Sequence, residues 1–155
     1  MAALRRMQEG LGFAARVVFG AWQLDFRKAF DNFNYTKIAN YSEEKLVDLR
    51  EDVRIIRNQL KIKAAKTNAI AFIKTQKEFG TFSKYIWEFV DGKPIKNAFK
   101  SMSELPANTP LSDKISADLK KRGFKFVGST IVYAHMQAMG IVNDHTTDCF
   151  RYNEV

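Results

Sequence analysis

The sequence predicts an all-α fold in a single helical domain, and three observations carry that reading. Apolar residues recur at helical spacing through most of the chain. Ser or Thr stands immediately before several of these stretches, where a helix needs a side-chain acceptor for its free amides. No segment alternates apolar and polar residues convincingly enough to read as a strand, and there is no internal repeat. At 155 residues the chain is long enough for one domain with its own core and short for two.

Residues 1–24 are the least legible part. Leu11, Phe13, Val17, Val18 and Trp22 could share a helix face, but Gly10, Gly12 and Gly20 each cost about 1 kcal/mol relative to alanine in a helix. From Asp25 the helical pattern is clear, and DFRKAFDNF places Phe26, Phe30 and Phe33 on one expected helical stripe. Ser42 before Glu43 and Glu44 reads as an N-cap with acids in the first turn, placing Leu46 and Leu49 inward. The strongest helix runs from Asn58 to Phe79, with Ile62, Ala65, Ala69, Phe72, Ile73 and Gln76 on its inner face and Gly80 as its stop. Thr81 caps a short helix carrying Phe82, Tyr85, Ile86 and Phe89 around Trp87, and DGKP makes a turn. Ser101 to Leu111 holds two of the three prolines and reads as a surface loop. Ser112 is the expected cap of a helix through Ile115, Ala117 and Leu119 to Arg122, and a last helix spans about Ser129 to Met139.

Composition narrows the function. There are 25 Lys and Arg against 17 Asp and Glu, a formal charge of +8 that favours a polyanionic partner, nucleic acid first. The single cysteine, Cys149, excludes an internal disulfide, and no apolar run reaches the roughly 20 residues of a membrane span. The Arg-bearing, acid-poor N-terminus has something of a transit peptide, but its glycines and Glu9 argue against one. The expected location is the cytoplasm.

The segment that carries most chemistry is LKKRGFKFVGSTIVYAHMQAMGIVNDHTTDC, residues 119–149. Lys120, Lys121 and Arg122 end one helix, residues 123–128 turn, and Ser129 and Thr130 open the next. Cations at a helix C-terminus are favourable in themselves, which is the structural alternative. The functional reading is a phosphate site. Gly123 and Gly128 punctuate the turn, Gly128 lets backbone approach a ligand, and the amides of Ser129 and Thr130 form an anion-binding helix N-terminus. Lys125 adds charge at the turn itself, while Phe124 and Phe126 are expected to anchor it in the core.

The run LKKRGFKFVGSTIVYAHMQAMGIVNDH resembles the helix–hairpin–helix segment of the DNA-3-methyladenine glycosylase I family. The likeness continues through DFRKAFDNFNYTKIANYSEEKL, IIRNQLKIKAAKTNAIAFIKTQKEFGTFSKYIWEFVDGKPI and SELPANTPLSDKISADLKKRG, covering about Asp25 to Cys149. The domain division follows: a divergent segment 1–24, a glycosylase-like helical domain 25–149 and a tail 150–155. What the resemblance implies is a base-excision repair enzyme that binds double-stranded alkylated DNA. It would flip 3-methyladenine out of the stack and hydrolyse its N-glycosidic bond. It also implies a scaffold without the aspartate other helix–hairpin–helix glycosylases use, so Asp144 is not read as a catalytic acid. No membrane and no protein partner is implied.

Three departures from the family pattern stand out. The family's structural zinc is held by a Cys and a His near the N-terminus and by a His-x3-Cys pair near the C-terminus. His145 and Cys149 match the second pair, but His135 is the only other histidine and the first pair is absent, so a closed four-ligand site is not available. His135 is read as a packing or surface residue. Glu9-Gly10 could be the Glu-Gly pair whose carboxylate contacts the base, but LGFAARVVFGAWQL does not continue as the family does. Glu9 is therefore a candidate, with an exposed acid as the alternative. Arg54 replaces a usual glycine. The chain is expected to be a shortened or divergent member, with a non-catalytic DNA-binding remnant as the second reading.

Overall fold

The computed structural model describes residues 23–154, so Glu9, Gly10, Trp22 and what was expected of them lie outside the described residues. The order is α1 (Gln23–Ala29), α2 (Tyr35–Ala39), α3 (Glu43–Glu51), α4 (Gln59–Phe79), α5 (Phe82–Trp87), β1 (Ile95–Lys96), α6 (Pro110–Lys121), α7 (Ser129–Ala138) and β2 (Val142–Asn143), with short 3-10 turns between. The all-α reading holds.

Local chemistry sets most of the helix ends. Ser42 and Thr81 each accept the third following amide, capping α3 and α5 as expected, and Asn58, read as the first residue of its helix, does the same for α4 from the cap position. Gly80 ends α4 at φ 80, a left-handed conformation glycine adopts freely. Two expectations fail. Ser112 is not the cap of α6: Thr109 is, and Ser112 at the third position returns a bond to the Thr109 amide at 2.8 Å. Pro110 takes the first helical position, where its missing N–H leaves nothing unsatisfied. The Phe26–Phe30–Phe33 stripe also breaks, because Asp31, Asn32 and Phe33 all have positive φ. Phe26 and Phe30 are buried and stacked 5.5 Å apart, while the left-handed turn swings Phe33 to the edge of the core. The Tyr41 hydroxyl donates to Asp31 at 2.7 Å across this turn.

The core falls into two clusters joined by α4. Ile62 and Ala69 pack with Phe26, Phe30, Ile38, Leu46 and Leu49 on one side. Ala71 and Phe72 pack with Phe82, Tyr85, Ile115, Leu119, Val132 and Met136 on the other. Tyr35 touches both, its ring 5.1 Å from that of Phe72. The absence of strands is a further expectation the structure corrects. Ile95 and Lys96 pair in parallel with Val142 and Asn143, fastening the long connection after α5 to the segment after α7. Two-residue strands leave no periodicity to read, and their partners lie far apart in sequence.

His135 on α7 is a packing histidine, as expected: it is buried, and burial pushes its imidazole down to about 4. The fold holds the neutral ring, whereas the unfolded chain takes up a proton near 6.5. Between about 6.5 and 4 the unfolded state therefore binds the extra proton. Stability should fall as pH drops through that window, with a slope approaching ~1.4 kcal/mol per pH unit from this group. Urea unfolding across pH 7 to 4 (a range of about three units) checks this, and His135→Gln should flatten the dependence.

Candidate nucleic-acid interface

The basic turn forms a rigid hairpin between α6 and α7. Its first half is a glycine-terminated helix end: the Gly123 amide donates to the Lys120 carbonyl at 3.0 Å and the Phe124 amide to the Leu119 carbonyl at 3.0 Å. Gly123 sits at φ 95, a conformation that strains other residues. Phe124 is buried beside Phe82, with ring centroids 6.0 Å apart, and anchors the turn as expected. Phe126 does not. It is 43% exposed, because a φ of 58 turns its side chain away from the core.

Three buried polar side chains hold the second half. Asn68, 1% exposed on α4, takes the Lys125 amide on its carbonyl oxygen at 2.7 Å and donates its amide to the Lys125 carbonyl at 3.1 Å. Ser116 on α6 donates to the Val127 carbonyl at 2.6 Å. Ser112 meets the Ser129 hydroxyl at 2.8 Å. Sequence reasoning missed all three. A signal for Asn68 existed: it interrupts the inner face of α4, between buried Ala64 and Phe72, and Thr75 follows on the same face. A polar residue there needs a partner, and the partner is backbone 57 residues away.

The candidate DNA-contacting residues divide by direction. Lys120, Lys121, Lys125 and Thr130 are exposed around the turn. Arg122 faces inward. Its guanidinium meets Glu78 and Asp118 at 2.7 Å each and lies 4.8 Å from the ring centres of both Phe79 and Tyr85. The charge-assisted bond to Glu78 leads in holding Arg122 firmly protonated. In this arrangement Arg122 fastens the end of α6 to α4. The Ser129 hydroxyl is engaged by Ser112 and by the exposed Asp113 carboxylate, so the group it leaves for a ligand is its backbone amide. Gly128 caps α7 with no side-chain bond, leaving the first-turn amides of α7 without an intrahelical or capping partner. Gly128 has an ordinary φ of −63, and a Cβ built on it would meet nothing within 4 Å. Nothing inside the fold requires glycine there. An approaching ligand backbone would.

The C-terminal segment brings His145 and Cys149 together, with Nδ1 and Sγ 3.5 Å apart. Zinc bound tetrahedrally at about 2.3 Å from sulfur and 2.0 Å from nitrogen separates those donors by about 3.5 Å, so the pair is spaced for a metal. Among the described residues no group of three or more His, Cys, Asp or Glu could hold an ion, and the chain has no further cysteine. The residues present fit half of a closed zinc site. Asp144, next in the chain, is buried: Asn97 donates to one carboxylate oxygen at 2.6 Å and Gln137 to the other at 2.7 Å. It ties the connection after β1 to α7 and β2. Burial, with the Asp144 carboxylate close by, raises the pKa of the Tyr133 phenol, although the two do not form a well-shaped hydrogen bond.

The methyladenine glycosylase family model matches residues 1–152. The chain belongs to the methyladenine glycosylase family. It is 41% identical to DNA-3-methyladenine glycosylase 1 of Escherichia coli K12 over 128 residues, which are 83% of this chain and 68% of that protein. It is 40% identical to the DNA-3-methyladenine glycosylase of Haemophilus influenzae, over 80% of this chain and 67% of the relative. Among solved structures, the 3-methyladenine DNA glycosylase I of Staphylococcus aureus superposes with a TM-score of 0.85 at 25% identity, over 93% of this chain and 81% of that one. The family scaffold thus extends across α1 to β2.

The Asn68 clamp makes a sharp expectation. Asn68→Leu keeps the branched shape with a somewhat larger side chain, leaves the part-buried amide and carbonyl of Lys125 without their partner, and should cost about 1–3 kcal/mol. Denaturant unfolding measures the loss, and amide exchange at Lys125 should speed up more than exchange in the centre of α4.

Proposed function

We infer that this chain is a DNA repair glycosylase hydrolysing the N-glycosidic bond of 3-methyladenine in alkylated DNA. The observation that carries the reading is family membership along residues 1–152, joined to a hairpin whose outward groups suit a phosphate backbone. The relatives are named as 3-methyladenine glycosylases, and one solved relative is described through its recognition of that base. Among the described residues no helix is long and apolar enough to cross a membrane.

The chemistry asks little of the protein. A 3-methylated adenine carries a positive charge, so it departs as a neutral base when its bond to the sugar breaks. Water supplies the hydroxyl that remains on C1′, and its second proton is released to solvent. The enzyme needs to extrude the nucleotide and hold it, at an unpairing cost of a few kcal/mol. The hairpin would hold the backbone through the opening amides of α7, with Lys120, Lys121 and Lys125 attracting phosphate and Gly128 and Thr130 alongside. Arg122 and Gly123 would serve by shaping the hairpin. Glu9 remains the candidate base-contacting carboxylate. Asp144, with both oxygens engaged, suits a structural task.

The decisive assay is release of free 3-methyladenine from methylated duplex DNA by wild-type protein and Glu9→Gln. Release that falls with the variant supports both the activity and the role of Glu9. No release from folded, DNA-binding protein favours the second reading, a non-catalytic member, to which the half-complete donor pair lends some support. Lys121→Ala with Lys125→Ala should weaken duplex binding and lower the log–log salt slope by up to about 0.9 for each phosphate that is no longer neutralised. Binding and slope like wild type would remove the lysines from the interface.

For the metal, we expect His145 and Cys149 to act as a hydrogen-bonded pair without a stoichiometric ion. Metal analysis of purified protein should find well under about one zinc per chain, since structural zinc uses four closed ligands. A full equivalent would overturn this.

A further inference from the structure

Phe126 is held in a conformation its side chain does not favour, at a basic turn. Its φ of 58 lies in the left-handed region, where a bulky residue is an outlier and glycine sits without strain. The strain cannot relax into the neighbouring residues. Lys125 is clamped at both amide and carbonyl by Asn68, and Val127 is buried with its carbonyl held by Ser116. The result is an aromatic ring 43% exposed, projecting from a backbone otherwise fixed on both sides. A folding requirement would favour glycine here, and a buried anchor would point inward as Phe124 does. Strain retained at an exposed position points to a use outside the fold.

The surroundings identify the occupant. Lys125 precedes Phe126 directly, and Lys120, Lys121 and Thr130 are exposed on the same hairpin. The first-turn amides of α7 open two residues further on. A phosphate drawn to those groups brings its own deoxyribose with it, and a sugar face offers apolar C–H surface without any base leaving the stack. We propose that Phe126 is a DNA-contact residue, packing on the deoxyribose beside the phosphate held at the start of α7. This rests on the hairpin being the DNA-binding element and adds to it an uncharged contact. The lysines set long-range attraction, and Phe126 sets how closely the backbone seats.

The test is equilibrium binding of dye-labelled unmodified duplex by full-length wild type, Phe126→Gly, Phe126→Leu and the Lys121→Ala/Lys125→Ala variant, across a salt series. Phe126→Gly relieves the left-handed strain, so its melting temperature should match or exceed that of wild type. Its affinity should nevertheless fall about five- to tenfold, for loss of a partly buried phenyl ring. The salt slope should stay that of wild type because no charge is removed. Phe126→Leu should bind within about twofold of wild type, since a branched aliphatic side chain still covers the sugar. Wild-type affinity in Phe126→Gly, beside a weakened lysine variant, overturns the proposal and leaves the hairpin reading standing. A lysine variant that binds like wild type removes both. A larger loss on single-stranded DNA than on duplex overturns the sugar assignment, because it marks stacking on bases.

Discussion

The paired hydrogen bonds between Asn68 and Lys125 are the contact on which the rest of the structure depends. A buried amide side chain must find partners for its donor and its acceptor, and here one peptide segment supplies both. The backbone of Lys125 gains partners that a turn within a helical protein would otherwise seek in water. Asn68 lies near the middle of α4, where the helix passes from one apolar cluster to the other. The clamp thus fixes the hairpin to the one element that both halves of the core share. Leaving either group unpaired in that dry position would cost more than the pair contributes when made, so the register of α4 against the hairpin has little freedom.

Charge is sorted by the same logic. Arg122 closes the contact between α6 and α4, with two carboxylates bonded to its guanidinium and two aromatic rings around it. Its planar guanidinium can do both at once, which a lysine ammonium cannot. The Lys120, Lys121 and Lys125 side chains stay in solvent, where their charge reaches outward by roughly a Debye length, about 8–10 Å at ordinary ionic strength. One cation builds the surface and its neighbours act from it. The strained Phe126 belongs to that surface, because the clamps that fix its neighbours also prevent its ring from folding inward.

The C-terminal segment solves a different problem. Residues 141–153 have little regular structure of their own and are tied down by distant partners. Ile95 and Asn97 pair with the Ile141 and Asn143 carbonyls, Asn97 and Gln137 hold Asp144, and Asn143 donates to the Tyr152 carbonyl. His145 and Cys149 are brought together by this backbone.

What the sequence by itself determined is whatever depends on neighbours within about one helical turn. The caps at Ser42 and Thr81, the stop at Gly80, the glycine-ended helix at Gly123, the burial of Leu46, Leu49, Ile115 and Leu119, and the spacing of His145 and Cys149 were all legible for that reason. The family and its chemistry were legible too, through a long specific run rather than through composition. Only the tertiary structure decided the rest. Arg122 turned inward because Glu78, 44 residues earlier in the chain, and Phe79 beside it lie at the end of α4. The Phe26 stripe broke at Asp31 because Tyr41 reaches back to bind it. The two-residue parallel pair formed only because its strands were delivered to one another. Phe126 points outward because Asn68 and Ser116 fix the backbone around it. Each of these outcomes hangs on a hydrogen bond or ion pair between residues too far apart in the chain for periodicity or local propensity to record.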